Sequence, residues 1–197
     1  MIVRLAEGLL ETKFGTFLEV LYYDGQNEYM ALIMGQVENT ENVLCRIHSE
    51  CISAHIFNSI ECDCREQMEM SQLLIEQAGL GIVIWLPQEG RGNGHLALLA
   101  SSKLKAEGLS QTEAYIKLGY EIDTRSYKRA AEILRDLKLR SIILLTNNPR
   151  KTLDMQEAGI KVSGTKQLFL ENVDNRLLLQ SYIDKIKRGH LINLKME

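Results

Sequence analysis

Residues 81–94 read GIVIWLPQEGRGNG. The first six form a short, unbroken apolar run, the pattern of a strand buried on both faces. The glycine-rich turn at 88–94 then leads into a helix expected over about 95–107 and stopped by Gly108. A buried strand, a turn and a helix in that order make one unit of an α/β sheet. The unit recurs downstream. Residues 141–146 (SIILLT) read as a second buried strand, Asn148 can cap the next helix, Pro149 fits its first position and Gly159 lies just past its end.

Upstream of this stretch the chain reads as β structure. Segments 16–23 (TFLEVLYY), 29–35 (YMALIMG) and 42–48 (NVLCRIH) are rich in β-branched and aromatic residues, with Asp24, Gly25 and Asn27 as turn residues. From about residue 65 the pattern becomes helical, with Met68, Leu74, Ile75 and Ala78 on an apolar face and Gly79 as the stop. Further helices are expected near 111–118, 126–138 and 174–188. The predicted class is mixed α/β (α+β): a β-rich amino-terminal part followed by alternating strands and helices. Without repeats, linkers or low-complexity tracts, residues 1–197 read as a single domain, with a motif-bearing core over about 5–170.

Composition narrows the function classes. Apolar residues make up 45% and charged residues 25%, which excludes a disordered chain, a collagen-like repeat and a disulfide-rich miniprotein. A net charge of -3 argues against nucleic-acid binding by bulk electrostatics but leaves room for a local pocket that takes a small anion. No apolar run approaches the ~20 residues of a membrane helix. The start, MIVRLAEGLLETKFG, lacks the pattern of a signal peptide. These features predict a cytoplasmic location, where thiols stay reduced.

That expectation bears on Cys45, Cys51, Cys62 and Cys64, which fall within twenty residues of one another. In a reducing compartment such a cluster points to metal binding or catalysis before disulfides. Cys51, Cys62 and Cys64 follow the spacing C-x10-C-x-C, and three thiolates with an open fourth position are a catalytic zinc arrangement. On an extended segment Cys62 and Cys64 would face the same way and Asp63 the other. The alternative is three inert, buried thiols, but the flanks SEC, ECDC and REQ are polar. Cys45, between Leu44 and Arg46 on an expected strand, reads as packing. His48 and His55 are nearby candidates as ligands or bases; His95 and His190 carry less signal.

The turn QEGRGNG has neither the dinucleotide spacing G-x-G-x-x-G nor the Walker lysine. Glu89 and Arg91 inside a glycine turn at a strand's carboxyl end fit ligand recognition in α/β sheets. Asp123-Thr124-Arg125 forms another charged cluster. In residues 146–151 (TNNPRK), helix-opening amides and Lys151 can hold a phosphate, although Arg150 and Lys151 can equally be a solvated helix face.

Taken in order, RIHSEC (46–51), ECDCREQ (61–67), QEGRGNG (88–94), EIDTRSY (121–127) and LLTNNPRK (144–151) resemble the GTP cyclohydrolase II family, the zinc enzymes that open riboflavin biosynthesis. The resemblance implies zinc ligands Cys51, Cys62 and Cys64. It implies nucleotide contacts from Arg46, His48, Ser49, Glu50, Gln67, Glu89, Gly90, Arg91, Thr146 and Lys151. Asp123 matches the family's proton acceptor and Arg125 the residue proposed to attack the α-phosphate. The implied reaction consumes GTP and water, with magnesium on the triphosphate, and yields formate, pyrophosphate and a diaminopyrimidinone ribosylamine phosphate. A homodimer is implied as well.

The chain departs from the family pattern at several places. Where the family usually has GLLNK and then a tyrosine, this chain reads GHLALLASS, so Leu98 replaces the lysine and Ser102 the tyrosine. Gln111-Thr112-Glu113-Ala114-Tyr115 replaces T-V-E-A-N, Arg65 the glycine after CDC, and Ser53-Ala54-His55 the usual TGD. Three readings follow: the full family reaction on GTP; a relative that stops at a formamidopyrimidine or takes another nucleotide or heterocycle; and a silent nucleotide-binding paralogue that keeps zinc structurally.

Overall fold

The computed structural model describes residues 1–168, 176–187 and 189. Its contacts divide into two compact units: residues 1–48, 66–87 and 127–169 form one, and residues 49–65, 88–126 and 170–197 the other.

The first unit is built on a seven-stranded mixed sheet in the order β1-β2-β3-β5-β4-β6-β7. Its strands are β1 Val3–Thr12, β2 Gly15–Tyr23, β3 Glu28–Met34, β4 Val43–Ser49, β5 Gly81–Leu86, β6 Ile142–Leu145 and β7 Val162–Lys166. β1, β2, β3 and β5 pair antiparallel in succession, whereas β4, β6 and β7 run parallel. Alternation along the strands sends one set of side chains to each face. Val20, Tyr22, Ala31, Ile33, Val43, Cys45, Ile47, Ile82, Ile84 and Leu86 pack in one core with Ala130, Ala131, Ile133 and Leu134 of α5 (Lys128–Asp136) and Met155 of α6 (Pro149–Glu157). Phe17, Val83, Leu32 and Leu44 face the other way, toward Met68 and Ile75 of α2 (Cys64–Ala78).

Both buried strands expected from their apolar runs are present, and Cys45 is a fully buried core residue. β1 and β7 are strands that the sequence reading did not mark. Most of β1 is exposed, and β7 (VSGTK) holds three exposed polar positions and the half-buried Gly164 besides Val162. Their identity is set by pairing with β2 and β6.

The second unit carries α1 (Ile52–His55), a short 3-10 turn at Glu89–Gly92, α3 (Gly94–Ala106), α4 (Gln111–Lys117) and α7 (Arg176–Lys187). Ser110 and Glu113 cap α4 reciprocally, each side chain bonding the other's backbone N–H. The expected last helix matches α7, while positions 174, 175, 188 and His190 lie outside the described residues.

Candidate active site

In the second unit, Cys51 immediately precedes α1, and its carbonyl accepts a hydrogen bond from His55 N. Cys64 opens α2, so Cys62 and Cys64 are not both on extended chain as their spacing suggested. Helix initiation turns Cys64 instead, yet the three sulfurs still converge, all within 4.8 Å of one another. Asp63 between them is fully buried and accepts from Tyr182 Oη at 2.7 Å and Lys185 Nζ at 2.8 Å, both from α7.

The cluster fits a zinc ion. Tetrahedral zinc with Zn–S bonds of about 2.3 Å requires sulfurs about 3.7 Å apart, and Cys51 Sγ and Cys62 Sγ are 3.7 Å apart. Among themselves the thiols resist ionisation. Cys51 is favoured as thiolate by its bond with Cys62, but Cys64 and burial outweigh this and push it up to about 12. Cys51 and burial push Cys62 up to about 12 against the opposing effect of Cys64. Close thiolates desolvated together repel, and a divalent cation between them reverses that balance.

Two side chains fix the loop that carries Cys51. Arg65 donates to the carbonyls of Ala54 (2.9 Å) and His55, which anchors the end of α1. Glu89, 6% exposed, accepts from Ile52 N at 2.5 Å and from Gly90 N at 3.0 Å. A carboxylate at the first amide of a helix is favourably placed, and here it ties the glycine turn to the cysteine loop. His95 Nδ1 lies 3.9 Å from Glu89 Oε2. Burial and then Glu89 raise the pKa of the half-buried Glu50, with His95 opposing. Ser49 Oγ is buried with no hydrogen-bond partner among the described residues.

The glycine turn also holds the Asp123–Arg125 segment. Gln88 pairs with both backbone groups of Ser126, at 2.7 and 3.0 Å. Arg91 O accepts from Thr124 N at 2.9 Å, and Asn93 Nδ2 donates to Glu121 O at 2.9 Å. Gly92, with φ of 88°, allows this approach: a Cβ there would sit 2.3 Å from Thr124 Oγ1 and 3.0 Å from Arg125 N. Asp123 and Arg125 form a two-pronged ion pair.

Sequence reasoning met Thr112 and Tyr115 only as departures from the family pattern and gave them no role. Arg91 Nη1 donates to Thr112 Oγ1 at 2.9 Å, and its guanidinium lies 5.9 Å from the Tyr115 ring centroid. Tyr115 Oη donates to Gly90 O at 2.9 Å. Leu98 is beside the same turn, its Cβ 3.5 Å from where a Gly90 Cβ would be, and Ser102 Oγ bonds back to Leu99 O.

In the sheet unit, alternation along β4 puts Arg46 and His48 on the same face as Leu44, toward α2. Both are buried; Arg46 Nη1 donates to Leu145 O at 3.0 Å, and its Nη2 donates to Gln67 Oε1 of α2 at 2.6 Å and lies 3.4 Å from His48 Nδ1. Lys151, 5% exposed, donates to Ile47 O at 2.7 Å and sits 5.3 Å over the Tyr127 ring. Thr146 Oγ1 accepts from Asn148 N, and Asn148 caps α6 through Arg150 N. Asn148 Nδ2 is buried without a hydrogen-bond partner among the described residues, a donor that sequence reading treated only as a cap. Each sequence-predicted site residue thus lies in one of two groups. Arg46, His48, Gln67, Thr146 and Lys151 belong to the sheet unit; Ser49, Glu50, Glu89, Gly90, Arg91, Asp123, Arg125 and the three cysteines belong to the second.

The second unit thus combines a three-thiol cluster that could hold a metal ion with the buried carboxylates of Asp63 and Glu89 and a tied Asp–Arg pair. The GTP cyclohydrolase II family model matches residues 3–167, and the chain belongs to that family. It is 40% identical over 197 residues to the riboflavin biosynthesis protein RibBA of Bacillus mycoides (strain KBAB4), covering 98% of this chain and 49% of that protein. The RibBA of Bacillus cytotoxicus is likewise 40% identical over 196 residues, with the same coverage. The chain therefore spans about half the length of these relatives. Among solved structures it is similar to RibBX, a two-domain 3,4-dihydroxy-2-butanone 4-phosphate synthase from A. baumannii, with a TM-score of 0.46 and 17% identity over 86% of this chain and 40% of that one. That likeness is too slight to bear on function. Among the described residues no helix is long and apolar enough to cross a membrane.

Proposed function

We propose that the chain, read as one functional domain, hydrolytically opens the imidazole ring of GTP, with release of formate and pyrophosphate, as the first step toward riboflavin. The observation that carries this reading is the sulfur cluster, with Cys51 and Cys62 at the spacing that zinc requires. Zinc held by Cys51, Cys62 and Cys64 would supply water of lowered pKa for attack on the purine. Glu89 holds the Cys51 loop through Ile52 N and so keeps the cluster in register with the glycine turn.

Asp123 serves as the proton acceptor and orients Arg125 through its two-pronged bond. Arg125 stays protonated, so its role is to clamp the α-phosphate as pyrophosphate leaves. In the second unit, Ser49, Glu50, Glu89, Gly90 and Arg91 are nucleotide contacts. In the sheet unit, Arg46, His48, Gln67, Thr146 and Lys151 are the same. Magnesium accompanies the triphosphate, and the working form is a cytoplasmic homodimer.

One observation favours a second outcome. Leu98, beside the glycine turn, offers no cation, and Ser102 offers no phenol and spends its hydroxyl on Leu99 O. Loss of a cation and a proton donor there bears on the second hydrolysis, the phosphate contacts or the choice of substrate, and a failed second hydrolysis leaves a formamidopyrimidine product. The test is incubation of zinc-loaded protein with GTP and magnesium, followed by mass spectrometry of the nucleotides. A diaminopyrimidinone with free formate supports the full reaction. A product that retains the formyl group supports the shortened one, and unchanged GTP overturns both.

A further inference from the structure

Arg91 is held in an unusual way. Its backbone has φ of 59°, as does Gly90 before it, so a residue with a Cβ occupies the left-handed region. Such conformations persist where their surroundings over-determine them, and they gather at functional sites. Here Tyr115 Oη donates to Gly90 O at 2.9 Å, and Thr124 N donates to Arg91 O at 2.9 Å. The side chain is held as well as the backbone. Nη1 donates to Thr112 Oγ1 at 2.9 Å, and the guanidinium lies 5.9 Å from the Tyr115 ring centroid, within reach of a cation–π contact.

The support is itself rigid. Thr112 and Tyr115 are three apart on α4, so they share one helix face. Tyr115 is fully buried, and Tyr120 meets its ring edge-on with centroids 6.0 Å apart. The reciprocal cap of Ser110 and Glu113 secures the start of α4. A flexible arginine has therefore been locked by a hydroxyl on one side and an aromatic ring on the other.

We propose that Thr112 and Tyr115 are positioning residues for Arg91: they preset its guanidinium for an anionic group of the nucleotide. The proposal rests on the reading of Arg91 as a nucleotide contact. A long side chain ordered before the ligand arrives loses less entropy on binding, which favours affinity by several-fold to about tenfold for one such chain. Neither residue touches the reacting ring in this scheme, so their loss acts on KM rather than kcat.

Steady-state kinetics on the full chain test this. Thr112→Val is expected to raise KM for GTP about tenfold, with kcat within about threefold and the melting temperature held, whereas Thr112→Ser restores KM. Tyr115→Phe keeps the ring and most of the affinity, whereas Tyr115→Leu loses it. In an Arg91→Met background Thr112→Val should add nothing, because its effect passes through Arg91. Additive losses, or a fall in kcat at constant KM, overturn the proposal. Nitrogen-15 relaxation at Arg91 Nε in the ligand-free protein gives an independent readout: ordered in the wild type, mobile in Thr112→Val. Equal order in both overturns the proposal. Failure of the wild type to bind GTP overturns only the nucleotide reading of the site, and the relaxation experiment then decides the positioning role by itself.

Discussion

Both carboxylate oxygens of Asp123 are engaged by Arg125: Nε reaches Oδ1 at 2.9 Å and the terminal nitrogen reaches Oδ2 at 2.6 Å, while Arg125 N also donates to Oδ1 at 3.1 Å. A fork matched to a carboxylate fixes the arginine's plane as well as its place. Asp123 therefore sets where Arg125 presents its charge, in addition to any proton it takes. Asp123→Asn removes the charge and one prong while keeping the side chain's size. It is expected to slow GTP opening by about 100-fold or more, with zinc content unchanged. Turnover assays beside metal analysis check this, and full turnover in the variant would remove Asp123 from the mechanism.

Cys62→Ser replaces a soft ligand at the 3.7 Å contact with Cys51. Zinc and turnover are expected to fall together, because two thiolates with a hydroxyl make a much poorer site. Metal analysis by mass spectrometry, run with the activity assay, measures both. Retained activity without bound metal would end the zinc model.

Gly92→Ala places a Cβ 2.3 Å from Thr124 Oγ1 on a backbone with φ of 88°. The segment that carries Asp123 and Arg125 must move, since the nearest atoms include Arg125 N and Thr124 C, both at 3.0 Å. The expected result is a loss of about 1–3 kcal/mol of stability and a larger fall in activity than the melting temperature alone would explain. Urea unfolding and turnover on the same preparation separate the two effects.

Asp24 offers a pH signature away from the site. Its carboxylate accepts from the backbone N–H of Asn27 and Gln26, from Tyr29 Oη at 2.8 Å and from Arg129 Nε at 3.0 Å. Chiefly the Asn27 amide, then Tyr29, hold it well below the usual carboxylate range. A depressed acid stabilises the fold above its unfolded pKa, about 3.9, and that contribution fades as pH falls below it. Asp24→Asn should lower stability by about 1–3 kcal/mol at pH 7, with the difference from wild type shrinking below about pH 4. Chemical denaturation from pH 7 to pH 3 measures it. A gap that stays constant with pH would show that the charge on Asp24 plays no part.

Much of this was legible along the chain because it depends on near neighbours. Apolar runs marked β5 and β6, Asn148-Pro149 marked the start of α6, and the spacing of Cys51, Cys62 and Cys64 marked a sulfur cluster that the fold brings together. β1 and β7 were not legible, since they bury too little to leave a pattern and exist through their partners in the sheet. The extended geometry expected at Cys62 and Cys64 gave way to the first turn of α2, a choice made by the helix as a whole.

The sequence by itself determined the class of fold, the family and which residues are the candidates for the site, because those follow from residue type and from spacings of a few positions. Only the tertiary structure decided how those side chains are held. Gly92 is needed because Thr124 packs against it, Glu89 matters because its carboxylate meets an amide 37 residues away, and Arg91 is set by Thr112 and Tyr115, 21 and 24 positions downstream. Contacts over such separations arise from packing, and no local pattern of residues encodes them.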